Sequence, residues 1–365
     1  MNKTKDIIWS IKKAVENGQL RPQDVPVNDI IECVTNEIDI CKNTYVPQQY
    51  NEVREYLDTF CGKIIEGDCD PIRIGMFLDG MLICLATVSQ AVTFLVNKDY
   101  WMYKYHEKAD DPEIMEIIEY IDRKKELRLL NYDFVNKYRA EMYNAFYDEM
   151  CNMYYIPYRG RKMYFPEGWD EKKVLDYFCS VVSEQDVLSP HCYKKKGYEV
   201  KKGSMIIDVG AAEGIFSLDN IDSAEKIYLI DADAKWVKAL RHTFADDMDK
   251  TEIIQGYVGS APEGNKVVVL DGLISNFQSV YIKMDIEGCE KEALEGARRI
   301  FDIASDMICA ICSYHCKDDE TSIRQFLSDR GFETDVSRGY MFPDWEPGSI
   351  IDAELRRGIV FGRKS

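Results

Sequence analysis

Two short stretches and two single residues hold side chains able to do chemistry together. They are Asp208-Val209-Gly210-Ala211-Ala212-Glu213-Gly214, Lys283-Met284-Asp285-Ile286-Glu287-Gly288-Cys289-Glu290, Asp231 and His315. Gly210 permits a tight turn with backbone close to a ligand, and Gly214 permits close packing of the next segment. Asp208 stands where a dinucleotide fingerprint requires glycine. A carboxylate there repels a pyrophosphate, but it can accept a hydrogen bond from a ligand ammonium, directly or through water. Asp231 follows Gly210 by 21 residues, the spacing at which an acid accepts the ribose hydroxyls of an adenosine; as a lone residue it would serve equally as a helix cap. Two acids without a phosphate-seeking lysine favour S-adenosylmethionine over a nicotinamide dinucleotide, whose phosphates prefer a glycine-rich helix start.

These residues need strand ends to hold them. From about residue 201 the chain alternates apolar runs with amphipathic helices: MIIDVG, KIYLIDAD, TEIIQGYVG, SVYIKMD, MICAICSYH, GFETDVS and GIVFGRK read as strands. Strands without strict alternation between helices indicate a mostly parallel sheet covered on both faces, a doubly wound α/β fold with seven strands. Ligands of such folds sit beyond the carboxyl ends of the strands, where Asp208, Asp231, Asp285 and His315 all fall. VVVLDGLI reads as a short edge strand and turn, with Asp271 a cap or turn residue.

KMDIEGCE, placed after a hydrophobic strand, carries a resemblance. With IIDVGAAEGIFSL, IYLIDAD, VVVLDGLI, VYIKMDIEGCEKEALEGA and the SYH ending at His315, it resembles the FkbM-type class I S-adenosylmethionine-dependent methyltransferases over residues 200 to 365. The resemblance implies a Rossmann-like methyltransferase sheet and methylation of a hydroxyl, on a sugar or other small metabolite. It places Asp208, Gly210, Ala211 and Gly214 around the methionine part of the cofactor and Asp231 on its ribose, where family members commonly carry glutamate followed by proline. Ser260 is a weaker expectation for the adenine wall.

Methyl transfer to an alcohol needs a base, because alcohols are poor nucleophiles at neutral pH. His315 is the expected base, with Asp285 orienting its imidazole or binding the acceptor hydroxyl. Asp285, Glu287 and Glu290 could together hold Mg2+, but three acids in six residues do not define a site while their side-chain directions are unknown, and no metal ligand is assigned. Glu290 is expected to favour the next helix start, and Lys283 to pair with an acid. His106, His191 and His242 lack comparable partners; His191, in SPHCY, reads as a surface loop, with the entrance of the second domain as the alternative.

Composition bounds the rest. The chain has 365 residues, 46% of them apolar, and a formal charge of -18, so a folded protein of two domains is expected and a nucleic acid partner is not. Residues 1–200 hold 18 of the 23 tyrosines but only 8 of the 22 glycines, and are expected to form a mainly helical accessory domain that shapes the acceptor site or carries a homo-oligomer interface. Residues 111 to 156 read as helices, and 170 to 184 as another capped by Asp170. Tyr154, Tyr155, Tyr158 and Tyr164, with Arg159, Arg161 and Lys162, suggest either interdomain packing or a surface for sugars or anions. Gly80–Asn97 lacks charge but is closed by Asp79 and Lys98 and interrupted by polar residues, so a buried core and no membrane partner is expected. The twelve cysteines are too dilute for a disulfide scaffold; Cys309 and Cys312 read as buried strand rather than a zinc knuckle with Cys316. With no signal-peptide core after the basic start, a cytoplasmic location is expected. Two other classes use the same general fold: a nicotinamide-dependent oxidoreductase, against which Asp208 argues, and a noncatalytic interaction module, against which the two cofactor-like turns and a base argue.

Overall fold

A computed structural model describes residues 2–40, parts of 74–85, and 98–364 apart from 109, 263, 265, 275–278 and 344–353. The chain divides into two compact units, residues 1–131 with 342–355, and 132–341 with 356–365. The division falls well before residue 200, and residues 132–200 pack with the second unit.

The first unit is helical in its described residues, with helices Asn2–Glu16, Val27–Ile40, Lys98–Lys104 and Pro112–Lys124. The last shows how sequence sets its ends. Asp111 accepts a hydrogen bond from the Glu113 backbone N–H, Pro112 opens the first turn, and Lys125 closes it in the left-handed region. Ile114, Ile117, Ile118 and Ile121 make its buried face. The Gly80–Asn97 run lies largely outside the described residues. Among the described residues, no helix is long and apolar enough to cross a membrane.

The second unit is built on a seven-stranded sheet. Its strands are β4 (Ser204–Val209), β5 (Ala224–Asp231), β6 (Thr251–Gln255), β9 (Val280–Met284), β10 (Met307–Cys312), β11 (Glu333–Val336) and β12 (Ile359–Lys364), in spatial order β11-β12-β10-β9-β4-β5-β6. All neighbours are parallel except β12, which runs antiparallel to both β10 and β11. This is a doubly wound, Rossmann-like sheet, and the order reverses at β4, which opens a crevice beyond the carboxyl ends of β4 and β9. The strands are nearly all buried because helices cover both faces; β9 and β10 are buried at every position. A separate pair, β7 (Tyr257–Val258) and β8 (Val267–Val268), accounts for the expected edge strand in VVVLDGLI. Asp271 is indeed a cap, accepting from the backbone N–H groups of Arg299 and Ile300.

The helical expectation for 111–156 fails after Lys124: only short 3-10 turns follow, at Asp133–Lys137 and Ala140–Met142, and residues 146–164 are not helical. They form a three-stranded antiparallel sheet of β1 (Phe146–Asp148), β2 (Met153–Tyr158) and β3 (Arg161–Tyr164). Aromatic side chains pair across these strands, Phe146 on Tyr155 at 5.6 Å and Tyr155 on Tyr164 at 5.4 Å between ring centres. Arg159 and Gly160 both have positive φ, 48° and 78°, as a two-residue hairpin turn requires. The polar groups of this strip are engaged within the second unit: Arg159 and Tyr158 bond Asp219, and Arg161 bonds Asp247 at 2.7 and 2.9 Å. They are therefore structural contacts, not a waiting anion surface.

The chain leaves the second unit after Met341 and re-enters at Arg356, and those two residues exchange both backbone hydrogen bonds, at 2.7 and 2.9 Å. Arg356, buried, also donates to the carbonyls of Tyr314 and His315.

Candidate active site

The turn after β4 is held from three sides. Gly210 has φ 73°, and a Cβ there would lie 1.8 Å from the Asp285 carbonyl oxygen, so only glycine allows the ends of β4 and β9 to meet. The N–H groups of Gly210 and Ala211 both donate to the Ile230 carbonyl at the end of β5. Gly214, φ 80°, packs against Leu240 and Phe244. Asp231 closes the third side: its Oδ2 accepts from the Ala212 N–H and its Oδ1 from the Asp233 N–H, at 2.9 and 2.8 Å. Each oxygen keeps a further lone pair for a ligand. Burial raises the Asp231 carboxyl above its ordinary range despite those two donors. Its neighbour Asp233 caps the helix Ala234–Thr243 through the Lys235 N–H.

Asp208 lies near the end of β4, behind the turn. It is fully buried, accepts a 2.6 Å hydrogen bond from Ser217, and stands 3.2 Å from Lys283 Nζ. Lys283 in turn donates to the Gly210 carbonyl at 2.5 Å. The pair braces the turn from behind, so no ligand ammonium reaches Asp208 directly. Glu213, which nothing in the sequence marks out, is buried and accepts from Tyr177 at 2.9 Å, and desolvation raises its carboxyl to about 7.

At the ends of β9 and β10, Asp285 and His315 come together. His315 Nε2 lies 3.5 Å from Asp285 Oδ1, while its Nδ1 faces Glu290 Oε1 at 2.9 Å. Glu290 is fully buried and also accepts from the Ile286 N–H, so it is an orienting acceptor for the imidazole rather than a simple helix-start acid. Burial lowers the affinity of His315 for a proton, but the Glu290 hydrogen bond and the charges of Asp285, Glu290 and Glu287 outweigh it and raise its pKa. Glu287 is largely exposed, at 3.6 Å from His315 Nε2.

Asp285 has a second set of neighbours. His191 is buried, not a surface loop residue, and its Nε2 lies 3.3 Å from Asp285 Oδ2. Tyr193 donates to the same oxygen at 2.8 Å. Glu184 stands behind His191, 3.6 Å from Nδ1. Asp285 is thus flanked by two imidazoles, each backed by a glutamate. Burial disfavours its charge, but His191, Lys283 and His315 together hold its carboxyl well below the usual range. Ser260 is joined to none of these by the described contacts. It is exposed after β7, where Gly296 packs on the Gly259–Ser260 backbone.

Residues 265–334 match the family model of the methyltransferase FkbM domain. Among solved structures the chain is similar to a methyltransferase FkbM from Methylobacillus flagellatus KT, at 20% identity and TM-score 0.38, over 52% of this chain and 52% of that one. It therefore spans about half the length of that protein. It is similar also to a SAM dependent methyltransferase from Aquifex aeolicus, at 15% identity and TM-score 0.32, over 53% and 97% of the two chains. A third is precorrin-6y C5,15-methyltransferase from Geobacter metallireducens GS-15, at 15% identity and TM-score 0.32, over 46% and 83%. Among curated proteins none matches.

Proposed function

We propose that this chain, whose second unit carries a methyltransferase FkbM domain, is an S-adenosylmethionine-dependent methyltransferase that acts on a hydroxyl of a small molecule, a sugar or sugar-containing metabolite. The observation that carries the reading is the meeting of the Asp231-held turn with the Glu290–His315–Asp285 line across the crevice at which the strand order reverses.

The residues fit the cofactor's chemistry. Asp231 keeps acceptor capacity at the end of β5 for a ribose diol. When bound, S-adenosylmethionine supplies a methyl made electrophilic by its sulfonium. Glu290 accepts a hydrogen bond from the Nδ1–H of His315 and so directs the Nε2 lone pair toward Asp285 and the crevice. Deprotonated His315 then takes the acceptor hydroxyl's proton at Nε2, and Asp285, ionised throughout, accepts from the new Nε2–H and stabilises the imidazolium that forms.

Calorimetric titration with S-adenosylhomocysteine tests the reading. Micromolar binding is expected, weakened roughly tenfold or more in Asp231→Ala by loss of a charge-assisted hydrogen bond. Because Asp231 also holds two backbone N–H groups, thermal melting must show the variant folded. A folded wild-type protein that binds no S-adenosylhomocysteine refutes the proposal. A nicotinamide enzyme would instead bind NADH in a parallel fluorescence titration.

A further inference from the structure

We infer that His191, Asp285 and Cys312 form a binding site for a thiophilic divalent cation, with zinc the best match. The three come from separate elements: the segment between the helix Glu171–Glu184 and β4, the end of β9, and the end of β10. Each offers one donor atom, and the three atoms lie within 4.8 Å of one another.

The two separations from His191 fit one metal. Zinc bonds of about 2.0–2.1 Å to nitrogen, 2.0–2.2 Å to oxygen and 2.3 Å to sulfur at tetrahedral angles require edges of about 3.3–3.5 Å between N and O, and about 3.6 Å between N and S. The observed separations are 3.3 Å from His191 Nε2 to Asp285 Oδ2 and 3.6 Å from His191 Nε2 to Cys312 Sγ. The donor set decides the class of ion. A thiolate beside an imidazole disfavours magnesium and calcium, which take oxygen, and suits zinc or cobalt.

The surroundings have the form of an outer shell. Glu184 Oε2 lies 3.6 Å from His191 Nδ1, a buried atom without a hydrogen-bond partner of its own. A metal on Nε2 would leave Nδ1 carrying its proton and would draw that carboxylate close, the usual backing of a ligating histidine. Tyr193 donates to Asp285 Oδ2 and so orients that ligand, with its hydroxyl 3.7 Å from Cys312 Sγ. His191 and Cys312 are buried, whereas the Asp285 side chain is 19% exposed, so a fourth ligand would enter beside Asp285. Binding displaces the Cys312 thiol proton to solvent. His315 faces the other oxygen of Asp285 and is outside the set.

The test uses the full chain, freed of metal by a chelator under reducing conditions and titrated with Co2+, then with Zn2+ against a chromophoric competitor. The expected result is one equivalent bound with tetrahedral visible bands and a thiolate-to-cobalt charge-transfer absorption in the near ultraviolet. Cys312→Ser should abolish that absorption and weaken Zn2+ roughly tenfold or more, and Glu184→Gln should weaken it roughly 10–100-fold. Cys309→Ser, on the same strand but outside the cluster, should change neither. Zinc X-ray absorption on the wild type needs no variant, and should require one sulfur at about 2.3 Å. Absence of stoichiometric binding, a sulfur-free zinc shell, or a charge-transfer band surviving in folded Cys312→Ser would each overturn the site. S-adenosylhomocysteine titration of the same samples separates this inference from the methyltransferase reading, since either can fail alone.

Discussion

Replacing Glu213 by Gln should remove a large pH dependence from the stability of the second unit. Glu213 sits in the turn after β4, buried and in contact with Tyr177, and desolvation lifts its carboxyl from the ordinary 4.5 to about 7. The folded form thus holds a proton that the unfolded chain releases at lower pH. The stability linked to this group is present in full below about 4.5 and is lost as pH rises through about 7. The gap corresponds to roughly 3 kcal/mol. Glutamine accepts the same Tyr177 hydrogen bond without the titration. In urea unfolding followed by tryptophan fluorescence, with Trp236 only 5.3 Å from Tyr177, the two proteins should be nearly equal at about pH 4.5. The variant should exceed the wild type by roughly 3 kcal/mol at about pH 8.5. A difference that stays constant over this range, or that moves in favour of the wild type as pH rises, refutes the burial argument.

Gly210→Ala sets a Cβ against the Asp285 carbonyl at 1.8 Å in a positive-φ position; a melting scan should show a loss of roughly 4 kcal/mol or more, or no folded protein, and native-like melting would refute the close approach. Tyr193→Phe removes the 2.8 Å hydrogen bond to Asp285 and should cost roughly 1.5–3 kcal/mol in chemical denaturation. With a methyl acceptor in hand, single-turnover rates should rise with pH through an ionisation above the ordinary imidazole value of about 6.5, because the acids around His315 raise its pKa. His315→Asn should abolish that ionisation and slow transfer about 10²-fold or more while leaving S-adenosylhomocysteine affinity nearly unchanged; a near-native rate with the same pH profile would remove His315 as the base.

The sheet and the meeting of Asp285 with His315 are legible in the sequence because strand ends in a doubly wound fold converge, so a residue's place at the end of a run such as SVYIKMD fixes its neighbourhood. Local spacing also discloses caps at Asp170 and Asp233, whose partners are two or three residues away. The other flank of Asp285 is not legible. His191 and Tyr193 reach it from a segment without periodicity, 94 and 92 residues upstream, and nothing in SPHCY besides its lack of charge marks it as buried. Glu290 reads as a helix-start acid because its second role depends on a histidine 25 residues on. The β1–β3 sheet is hidden for a local reason. Aromatic residues between charges fit either period, and the Arg159–Gly160 turn that decides the matter has an arginine where asparagine or aspartate is the usual signal.

The paired backbone bonds between Met341 and Arg356 have a consequence for how the chain could be rebuilt. Two residues that exchange both bonds are the pair that a two-residue reverse turn closes, so the fourteen residues of the 342–355 excursion are dispensable to the second unit's chain path. Joining Met341 to Arg356 through Asn-Gly would make residues 132–365 contiguous in space as well as in sequence. The shorter loop would lower the closure entropy by roughly 1.7 kcal/mol and would leave the Arg356 grip on the Tyr314 and His315 carbonyls in place. The first unit, by contrast, would have to be supplied with Phe342–Leu355 as a separate peptide, which makes the same short segment a natural point for splitting the protein and restoring it by complementation.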